Sequence, residues 1–241
     1  MKIDCFFTHQ QFAAAGKPAD TIVVIDVLRA TSTIAIALAN GAEMIIPVRD
    51  INDALALKKK MPHAVLAGER KGEILDGFDI GNSPHEYTKE AVTGKVIISC
   101  TTNGTAAIDI AKENLAVFCG AIINAQAAAN TMLEQNKDLV LLCSGTDGQI
   151  SYDDIIGAGA IIYKIYEKEH YVYMSDAAKL AFQSYVINKQ DILKGLLSSY
   201  HGDKLTRAGK GQDVIFCAKE DIINIMPAYR DGKIVKWQHL P

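Results

Sequence analysis

The sequence predicts an α/β protein in three layers, with helices on both faces of a mostly parallel or mixed central sheet. The first observation is the apolar run at 22–25, Ile-Val-Val-Ile, which is typical of a strand buried on both faces. The second is that a polar loop and an Ala-rich helix, ending at Asn40 and Gly41, follow this run directly. The third is that this order of strand, loop and helix recurs along the chain, which is typical of a parallel sheet.

The remaining elements are predicted in chain order from the same patterns. Strands are expected over 3–7, 44–48, 64–67, 95–99, 115–119 and 138–143. Helices are expected over 10–15, 52–61, 105 to about 113, and about 155 to 167. A long loop over 68–86 is expected to be ordered, because Phe78 and Ile80 can anchor it. Beyond 175 we expect helices and then a hairpin, with arms over 222–226 and 233–237 around Asp231-Gly232.

Length and composition predict one globular domain. A chain of 241 residues can bury a sizeable core, and its 49% hydrophobic and 22% charged residues are ordinary for a soluble enzyme. We therefore expect a single α/β domain over 1–241, whose part from about 175 is helical and ends in the hairpin. The five cysteines are odd in number and form no C-x-x-C pair, which predicts neither a disulfide framework nor a zinc site.

Charge and hydropathy limit the partners. A formal net charge of -3 gives no sign of the basic stripe of a nucleic-acid-binding protein. No apolar run in the sequence is long enough to span a bilayer, so no membrane partner is expected. The chain opens with strand-like sequence that lacks signal-peptide features, which leads us to expect a cytoplasmic location. Assembly into a homo-oligomer is left open by the sequence.

Three polar loops are expected to leave the same edge of the sheet. They begin at Asp26, Cys100 and Ser144, directly after predicted strands. Their hydroxyls and accessible backbone amides suit phosphate oxygens, and the helices that follow offer N–H groups to an anion. Acids in the same loops make sense with a divalent cation between them and a phosphate, and Mg²⁺ takes only one or two carboxylates plus water and phosphate. We therefore expect a Mg²⁺-dependent pocket for a small anionic phosphorylated acid.

The familiar phosphate-binding and phosphatase signatures are absent from the sequence. It contains neither G-x-x-x-x-G-K-[ST] nor G-x-G-x-x-G. Leu28 stands where haloacid-dehalogenase phosphatases carry a second Asp after Asp26, and Ala106 stands where cysteine phosphatases carry an Arg after Cys100. These classes are therefore not indicated.

Four motifs, in order, resemble the 2-phosphosulfolactate phosphatase family. They are Val-Ile-Asp-Val-Leu-Arg-Ala-Thr-Ser-Thr at 24–33, Gly-Glu-Arg at 68–70 with 77–84, Thr-Thr-Asn-Gly-Thr at 101–105, and Ser-Tyr-Asp-Asp at 151–154. The resemblance covers most of the chain, including His201-Gly202 and Asp213. It implies a Mg²⁺-dependent acid phosphatase that converts 2-phospho-3-sulfolactate to 3-sulfolactate in coenzyme M biosynthesis. Asp153 departs from the family pattern, which has Glu there, so the acid is kept with a shorter reach.

The loops and the resemblance together give the predicted site. The predicted catalytic residues are Asp26, Arg29, Glu69, Cys100 and Asn103. The predicted substrate-binding residues are Arg70, Asp79, Asn82, Ser83, Thr101, Thr102, Gly104, Thr105 and Ser144. The predicted Mg²⁺ ligands are Asp26, Asp147 and Asp154. In this hypothesis Arg29 and the 101–105 loop hold phosphate oxygens, while Glu69 and Asp79 orient water or protonate the leaving alkoxide.

Several alternatives stay open at this stage. Attack could come from water, or from Cys100, Asp26 or Ser144 as a covalent nucleophile. A Mg²⁺-dependent lyase or transferase acting on a phospho-carboxylic acid would use a similar pocket, and a binding protein for anionic metabolites would need no turnover. Each polar residue also has a structural interpretation as a cap, a turn or an ion pair. The histidines show no metal-ligand spacing, and only His201, beside Gly202, is kept as a functional candidate.

Overall fold

The computed structural model describes residues 1–16, 18–70 and 72–238, which form an α/β fold around a mixed sheet. The strands are β1 (Lys2–Phe6), β2 (Thr21–Ile25), β3 (Met44–Pro47), β4 (Val65–Arg70), β5 (Glu73–Ile74), β6 (Val96–Cys100), β7 (Ala116–Gly120), β8 (Leu139–Cys143), β9 (Tyr173–Met174), β10 (Pro227–Arg230) and β11 (Lys233–Lys236). The helices are α1 (His9–Ala15), α2 (Ala30–Ala39), α3 (Ile51–Lys60), α4 (Lys89–Val92), α5 (Gly104–Ala111), α6 (Ala125–Gln135), α7 (Tyr152–Lys168), α8 (Asp176–Asn188), α9 (Ile192–Ser198), α10 (Tyr200–Arg207) and α11 (Gly211–Cys217). The predicted fold class is confirmed.

The strand order is β5-β4-β6-β3-β11-β10-β7-β2-β8-β1-β9. The sheet is parallel except where β5, β10 and β11 pair with their neighbours. Strand β2 lies between β7 and β8, with Ile25 level with Gly120 and Cys143. The polar residue that follows β2 therefore emerges near the middle of the carboxyl edge of the sheet, where ligands bind in such folds.

The apolar run of β2 is explained by burial on both faces. Val23 and Ile25 join the apolar cluster on one side of the sheet, while Ile22 and Val24 join the cluster on the other side. Successive side chains of a strand point to opposite faces, so a strand covered by helices on both sides must be apolar at every position. No described helix combines the length and the apolar character that crossing a bilayer would require.

The C-terminal hairpin is present, but its first arm was predicted too early in the chain. Strand β10 covers Pro227–Arg230 rather than 222–226, and it inserts with β11 between β3 and β7. Asp231 and Gly232 both have positive φ, and Arg230 pairs with Lys233 across them. A two-residue turn of this type fixes the register, so the first arm must be the residues directly before it.

Three further differences from the predicted elements affect the site. Helix α6 lies in a segment for which no element was predicted. Strand β4 continues through Glu69 to Arg70, so the following loop is shorter than expected. Helix α7 begins at Tyr152 rather than near 155, which places Asp153 and Asp154 in its first turn.

Candidate active site

One cavity opens at the carboxyl edge of the sheet, where the three predicted loops meet. It is lined by Asp26, Leu28, Arg29, Glu69, Gly72, Asn82, Thr101, Thr102, Asn103, Thr146, Asp147, His201, Lys204, Leu205 and Ala208. Most of them lie in the loops after β2, β6 and β8 or in α10 and the turn after it, Glu69 is part of β4, and Gly72 and Asn82 lie on either side of β5. The expectation that Asp26, Asn103 and Asp147 share one edge of the sheet is confirmed.

Asp26 is a buried carboxylate with one oxygen uncommitted. Its Oδ1 accepts a hydrogen bond from the Ala30 amide at 3.0 Å, and its own amide donates to Thr31 Oγ1 at 3.0 Å. Its Oδ2 accepts no hydrogen bond from any residue that the structure describes. Burial raises the pKa of Asp26 to about 7, and the negative charges of Asp153 and Glu69 add to this effect.

Gly104, the first residue of α5, allows that helix to approach Asp26. A Cβ at position 104 would lie 2.5 Å from Ala30 Cβ and 3.0 Å from Asp26 Oδ2. Both distances are shorter than carbon and oxygen atoms tolerate without a shift. The glycine therefore brings the N terminus of α5 directly against the carboxylate.

Arg29 is held in the cavity wall by a buried ion pair. Its Nη1 donates to Asp213 Oδ2 at 2.5 Å, and both side chains are almost completely buried. Asp213 also accepts a hydrogen bond from Ser83 Oγ at 2.6 Å, and Arg29 Nη2 donates to the Gly72 carbonyl at 3.4 Å. These contacts fix the guanidinium and balance its charge, so it is positioned before any ligand arrives.

Glu69 organises the loop after β6. Its Oε1 accepts hydrogen bonds from the Thr102 amide and hydroxyl at 3.0 and 2.8 Å, and its Oε2 accepts one from the Gly72 amide at 2.7 Å. Burial alone would raise the pKa of Glu69, but these hydrogen bonds more than offset it, and the pKa lies below its ordinary value. Glu69 is therefore an ionised loop anchor, which does not suit it to protonate a leaving alkoxide.

The N terminus of α5 presents unbonded amides to the cavity. Thr101 and Thr105 bind each other, with their hydroxyl oxygens 2.9 Å apart, and this closes the loop. The amides of Asn103 and Gly104 donate no hydrogen bond within the described parts of the chain, and the Asn103 side chain does not cap the helix. Unbonded N–H groups at a helix start form a ready anion-binding site.

In the third loop, Asp154 holds the backbone rather than the cavity. Its two oxygens accept hydrogen bonds from the amides of Val27 at 2.9 Å and Gly145 at 3.1 Å. Burial raises its pKa, and the charges of Asp153 and Asp26 raise it further. Asp154 does not line the cavity, so its predicted role as a metal ligand is not supported by the geometry. It instead ties the loop after β8 to the loop after β2.

Asp147 and Lys204 lie at the mouth of the same cavity. Asp147 is mostly exposed and has a φ of 52°, and its Oδ2 lies 3.4 Å from Lys204 Nζ. Among the described residues that line the cavity, the cationic Lys and Arg side chains are those of Arg29 and Lys204. The cavity therefore combines two cations with acids, hydroxyls and free amides.

Comparison with known proteins identifies the family. A family model described as 2-phosphosulpholactate phosphatase matches residues 6–232. The chain belongs to the 2-phosphosulpholactate phosphatase family. A protein of Carboxydothermus hydrogenoformans called "Probable 2-phosphosulfolactate phosphatase" is 42% identical over 237 residues, which cover 98% of this chain and 97% of that protein.

Relatives with the same name come from two clostridia. The Clostridium beijerinckii protein is 38% identical over 236 residues, which cover 97% of this chain and 99% of that protein. The Clostridium acetobutylicum protein is 37% identical over 237 residues, which cover 98% of this chain and all of that protein. The resemblance inferred from four motifs is thus confirmed, and every residue lining the cavity lies inside the matched range.

Two predicted site residues, Arg70 and Cys100, lie outside the cavity of this member of the 2-phosphosulpholactate phosphatase family. The Arg70 guanidinium donates to the carbonyls of Arg49 at 3.0 Å and Glu69 at 2.9 Å, and lies 3.3 Å from Cys100 Sγ. Cys100 is buried in an apolar cluster, and burial raises the pKa of its thiol. Because Glu69 and Arg70 are adjacent on β4, they face opposite sides of the sheet. Cys100 is therefore a poor candidate for a nucleophile.

Several other predicted ligands do not line the cavity. Exposed Asp79 accepts hydrogen bonds from the Leu66 amide at 2.8 Å and from Lys58 Nζ at 2.9 Å, away from the cavity. Ser144 is fully buried, and its hydroxyl has no hydrogen-bond partner within the described structure. Thr105 stands behind Thr101, and Ser83 lies in the adjoining cleft against Asp213. Of the predicted ligands, Asn82, Thr101 and Thr102 do line the cavity.

The acids at the cavity form an open set of oxygen donors rather than a closed metal cage. Among the described residues, no three or more His, Cys, Asp or Glu side chains form a group that could enclose a metal ion. Asp26 nevertheless offers an unbonded oxygen inside a field of negative charge that a cation would relieve, and Asp147 lines the same cavity. This donor set fits Mg²⁺, which is commonly held by one or two carboxylates, water and a substrate phosphate.

His201 was predicted only as a minor candidate and Thr146 was not predicted, although the two side chains are in contact at the cavity. His201 Nδ1 lies 2.9 Å from Thr146 Oγ1, which is 3.0 Å from Ser151 Oγ, and Ser151 donates to Asp153 Oδ1 at 2.7 Å. Thr146, Ser151 and Asp153 are close in sequence, but His201 lies 55 positions after Thr146, and no local pattern links it to them. The sequence feature that could have indicated these residues was the family resemblance, because it includes both His201-Gly202 and Ser151.

Proposed function

We propose that this protein hydrolyses 2-phospho-3-sulfolactate to 3-sulfolactate and inorganic phosphate, with Mg²⁺ as its cofactor. The observation that carries the proposal is that Asp26, the start of α5 and the fixed guanidinium of Arg29 meet at one cavity, where Asp26 Oδ2 and the Asn103 amide have no hydrogen-bond partner among the described residues. Family membership supports the choice of reaction and substrate. The cytoplasmic location expected from the sequence stays a prediction.

The phosphate group is expected to lie at the start of α5. There the amides of Asn103 and Gly104 can donate to two of its oxygens, and Thr102 supplies a further polar group on the wall. Arg29 is a guanidinium whose orientation is already fixed, which suits charge that develops on phosphoryl oxygens. These protein groups hold the phosphate in place before attack.

Asp26 is the residue expected to hold Mg²⁺, and Asp147 stays a predicted second ligand. A helix N terminus stabilises an anion by roughly 0.3–2 kcal/mol, which is small beside the barrier of phosphate-monoester hydrolysis. When bound, Mg²⁺ neutralises charge on the phosphoryl oxygens. Without a cation, the ionised Asp26 carboxylate would repel the same phosphate.

The sulfonate and carboxylate of the substrate need further cations. Lys204 stands at the cavity with its ammonium 3.4 Å from Asp147, a distance at which it can turn to an anionic ligand. Asn82, which lines the same cavity, is a neutral hydrogen-bonding partner for the rest of the substrate. A phosphorylated acid with several negative groups therefore suits this pocket better than a simple alkyl phosphate.

Phosphate release from 2-phosphosulfolactate by the purified protein tests the proposal. With Mg²⁺ we expect turnover, with EDTA we expect none, and Asp26→Asn should reduce the rate to background. Asp20→Asn is the matched control, because Asp20 is an exposed acid directly before β2 whereas Asp26 lies directly after it. The proposal fails if wild type releases no phosphate, and the role of Asp26 fails if both variants keep the wild-type rate.

A further inference from the structure

Four side chains form a continuous hydrogen-bonded chain from the cavity into the protein. His201 on α10 contacts Thr146 at 2.9 Å, Thr146 contacts Ser151 at 3.0 Å, and Ser151 contacts Asp153 at 2.7 Å. His201 and Thr146 line the cavity, whereas Ser151 and Asp153 are buried behind it. The chain therefore joins a cavity-lining imidazole to a buried carboxylate.

The bond between Ser151 and Asp153 sets the direction of the other hydrogen bonds in this chain. Ser151 Oγ donates its single hydroxyl hydrogen to Asp153 Oδ1. Ser151 must then accept from Thr146, whose own hydrogen is thereby used. Thr146 can only accept from the imidazole, so Nδ1 of His201 carries the hydrogen. The neutral imidazole is left with an unprotonated Nε2.

The backbone that carries His201 is also fixed. Helix α10 is capped by Ser199, whose Oγ accepts from the Gly202 amide at 2.9 Å. A Cβ at position 202 would stand 1.9 Å from the Leu196 carbonyl oxygen, so α10 and α9 are in close contact at this glycine. His201 Nε2 has no hydrogen-bond partner within 1–16, 18–70 and 72–238. A fixed imidazole thus keeps a lone pair available at the cavity.

We propose that His201 is the general base that takes a proton from the water attacking phosphorus, and that Thr146, Ser151 and Asp153 position it by fixing its tautomer. The inference rests on the proposed phosphatase function. A bond forms between the water oxygen and phosphorus while the ester bond between phosphorus and the substrate oxygen breaks. One water proton passes to Nε2, the departing alkoxide takes a proton from solvent, and the imidazolium returns its proton to solvent.

The charges around the imidazole are compatible with this role. Burial lowers the pKa of His201, and Arg29 and Lys204 lower it further, while Asp153 and Glu69 raise it, with a net lowering. A lowered pKa keeps the ring neutral near neutral pH, as a base requires. Activity should therefore fall as the pH drops through the pKa of His201.

The tautomer can be measured without any activity. In ¹⁵N-labelled protein, long-range proton–nitrogen correlation spectra distinguish protonated from unprotonated ring nitrogens, and His201→Gln assigns the His201 signals. We expect hydrogen on Nδ1 in wild type, and loss of that preference in Thr146→Val, which keeps the shape of the side chain without its hydroxyl. Thr206→Val is the matched control, because Thr206 lies on the same helix and donates to the Gly202 carbonyl instead. A wild-type ring with hydrogen on Nε2 would overturn the inference.

Kinetics test the catalytic half of the inference. His201→Gln should lower kcat on the order of 10²–10⁴-fold, as loss of general-base catalysis typically does, and should change the acid limb of the pH profile, to which the titration of Asp26 also contributes. Thr146→Val should move that limb, whereas Thr206→Val should leave it in place. Wild-type kcat in His201→Gln would refute the base. If wild type released no phosphate, the proposed function would be refuted, and with it the role of His201 as a general base. The nitrogen spectra would still show whether Thr146, Ser151 and Asp153 fix the tautomer of His201.

Discussion

Replacement of Gly104 by alanine should damage both stability and the cavity. The added Cβ would stand 2.5 Å from Ala30 Cβ and 3.0 Å from Asp26 Oδ2. Neither neighbour is the tip of a flexible side chain, because Ala30 starts α2 and its amide holds the Asp26 carboxylate. Overpacking of this kind costs about 1–3 kcal/mol in the free energy of unfolding. For a chain of this size that lowers Tm by roughly 2–12 °C.

Gly211→Ala is the matched control for this prediction. Gly211 is the first residue of α11, as Gly104 is of α5, but a Cβ there would meet nothing nearer than Thr206 Cγ2 at 3.7 Å. We expect Gly211→Ala to leave Tm unchanged or slightly raised, because alanine favours helix over glycine. Thermal unfolding by circular dichroism and phosphate release measure both variants. Equal Tm values and full activity in the two variants would refute the packing argument.

Three further substitutions test other parts of the site. Asp213→Asn leaves Arg29 buried without its counter-charge. It should therefore lower the free energy of unfolding, measured by urea titration, by about 3–5 kcal/mol. A loss below about 1 kcal/mol, as for an exposed ion pair, would contradict the assignment of a buried pair. Glu69 has a pKa below its ordinary 4.5, so the stability it adds is complete above pH 4.5 and is lost as the pH falls through its folded pKa. In urea unfolding, the free energy of unfolding of wild type should therefore exceed that of Glu69→Gln by an amount that decreases only as the pH falls below 4.5. A decrease that begins well above pH 4.5 would refute the assignment of a lowered pKa to Glu69. Cys100→Ser should retain the wild-type rate of phosphate release, because the thiol lies outside the cavity, and an inactive but folded variant would restore the covalent alternative.

The sequence was sufficient for the parts of the site that follow buried strands. The run at 22–25 is apolar at every position because its side chains enter both clusters, and that pattern locates Asp26 at the edge of the sheet. The meeting of the loops after β2 and β8 then follows from the parallel pairing of these two neighbouring strands, whereas the loop after β6 comes from a strand that is not adjacent to β2. Local patterns and sheet geometry are enough for these predictions.

The remaining parts of the site depend on contacts between distant segments. Arg29 pairs with Asp213 and His201 with Thr146, and no local pattern marks either pair. The wrong prediction that Arg70 binds substrate has a simpler cause. The strand was predicted to end at 67, whereas β4 continues to Arg70, and side chains that alternate along a strand direct Arg70 to the face opposite Glu69. The C-terminal hairpin inserts between β3 and β7. Its turn residues determine how β10 and β11 pair with each other, but they do not determine which strands of the sheet lie beside the hairpin.

The account depends centrally on attack by water on phosphorus in the cavity that Asp26 and α5 line. Turnover of 2-phosphosulfolactate in H₂¹⁸O with Mg²⁺, followed by ³¹P NMR of the released phosphate, tests this most directly. We predict that each phosphate carries one ¹⁸O at the enrichment of the solvent water. Phosphate without label would contradict the account, because it would mean that the carbon–oxygen bond broke, as in an elimination.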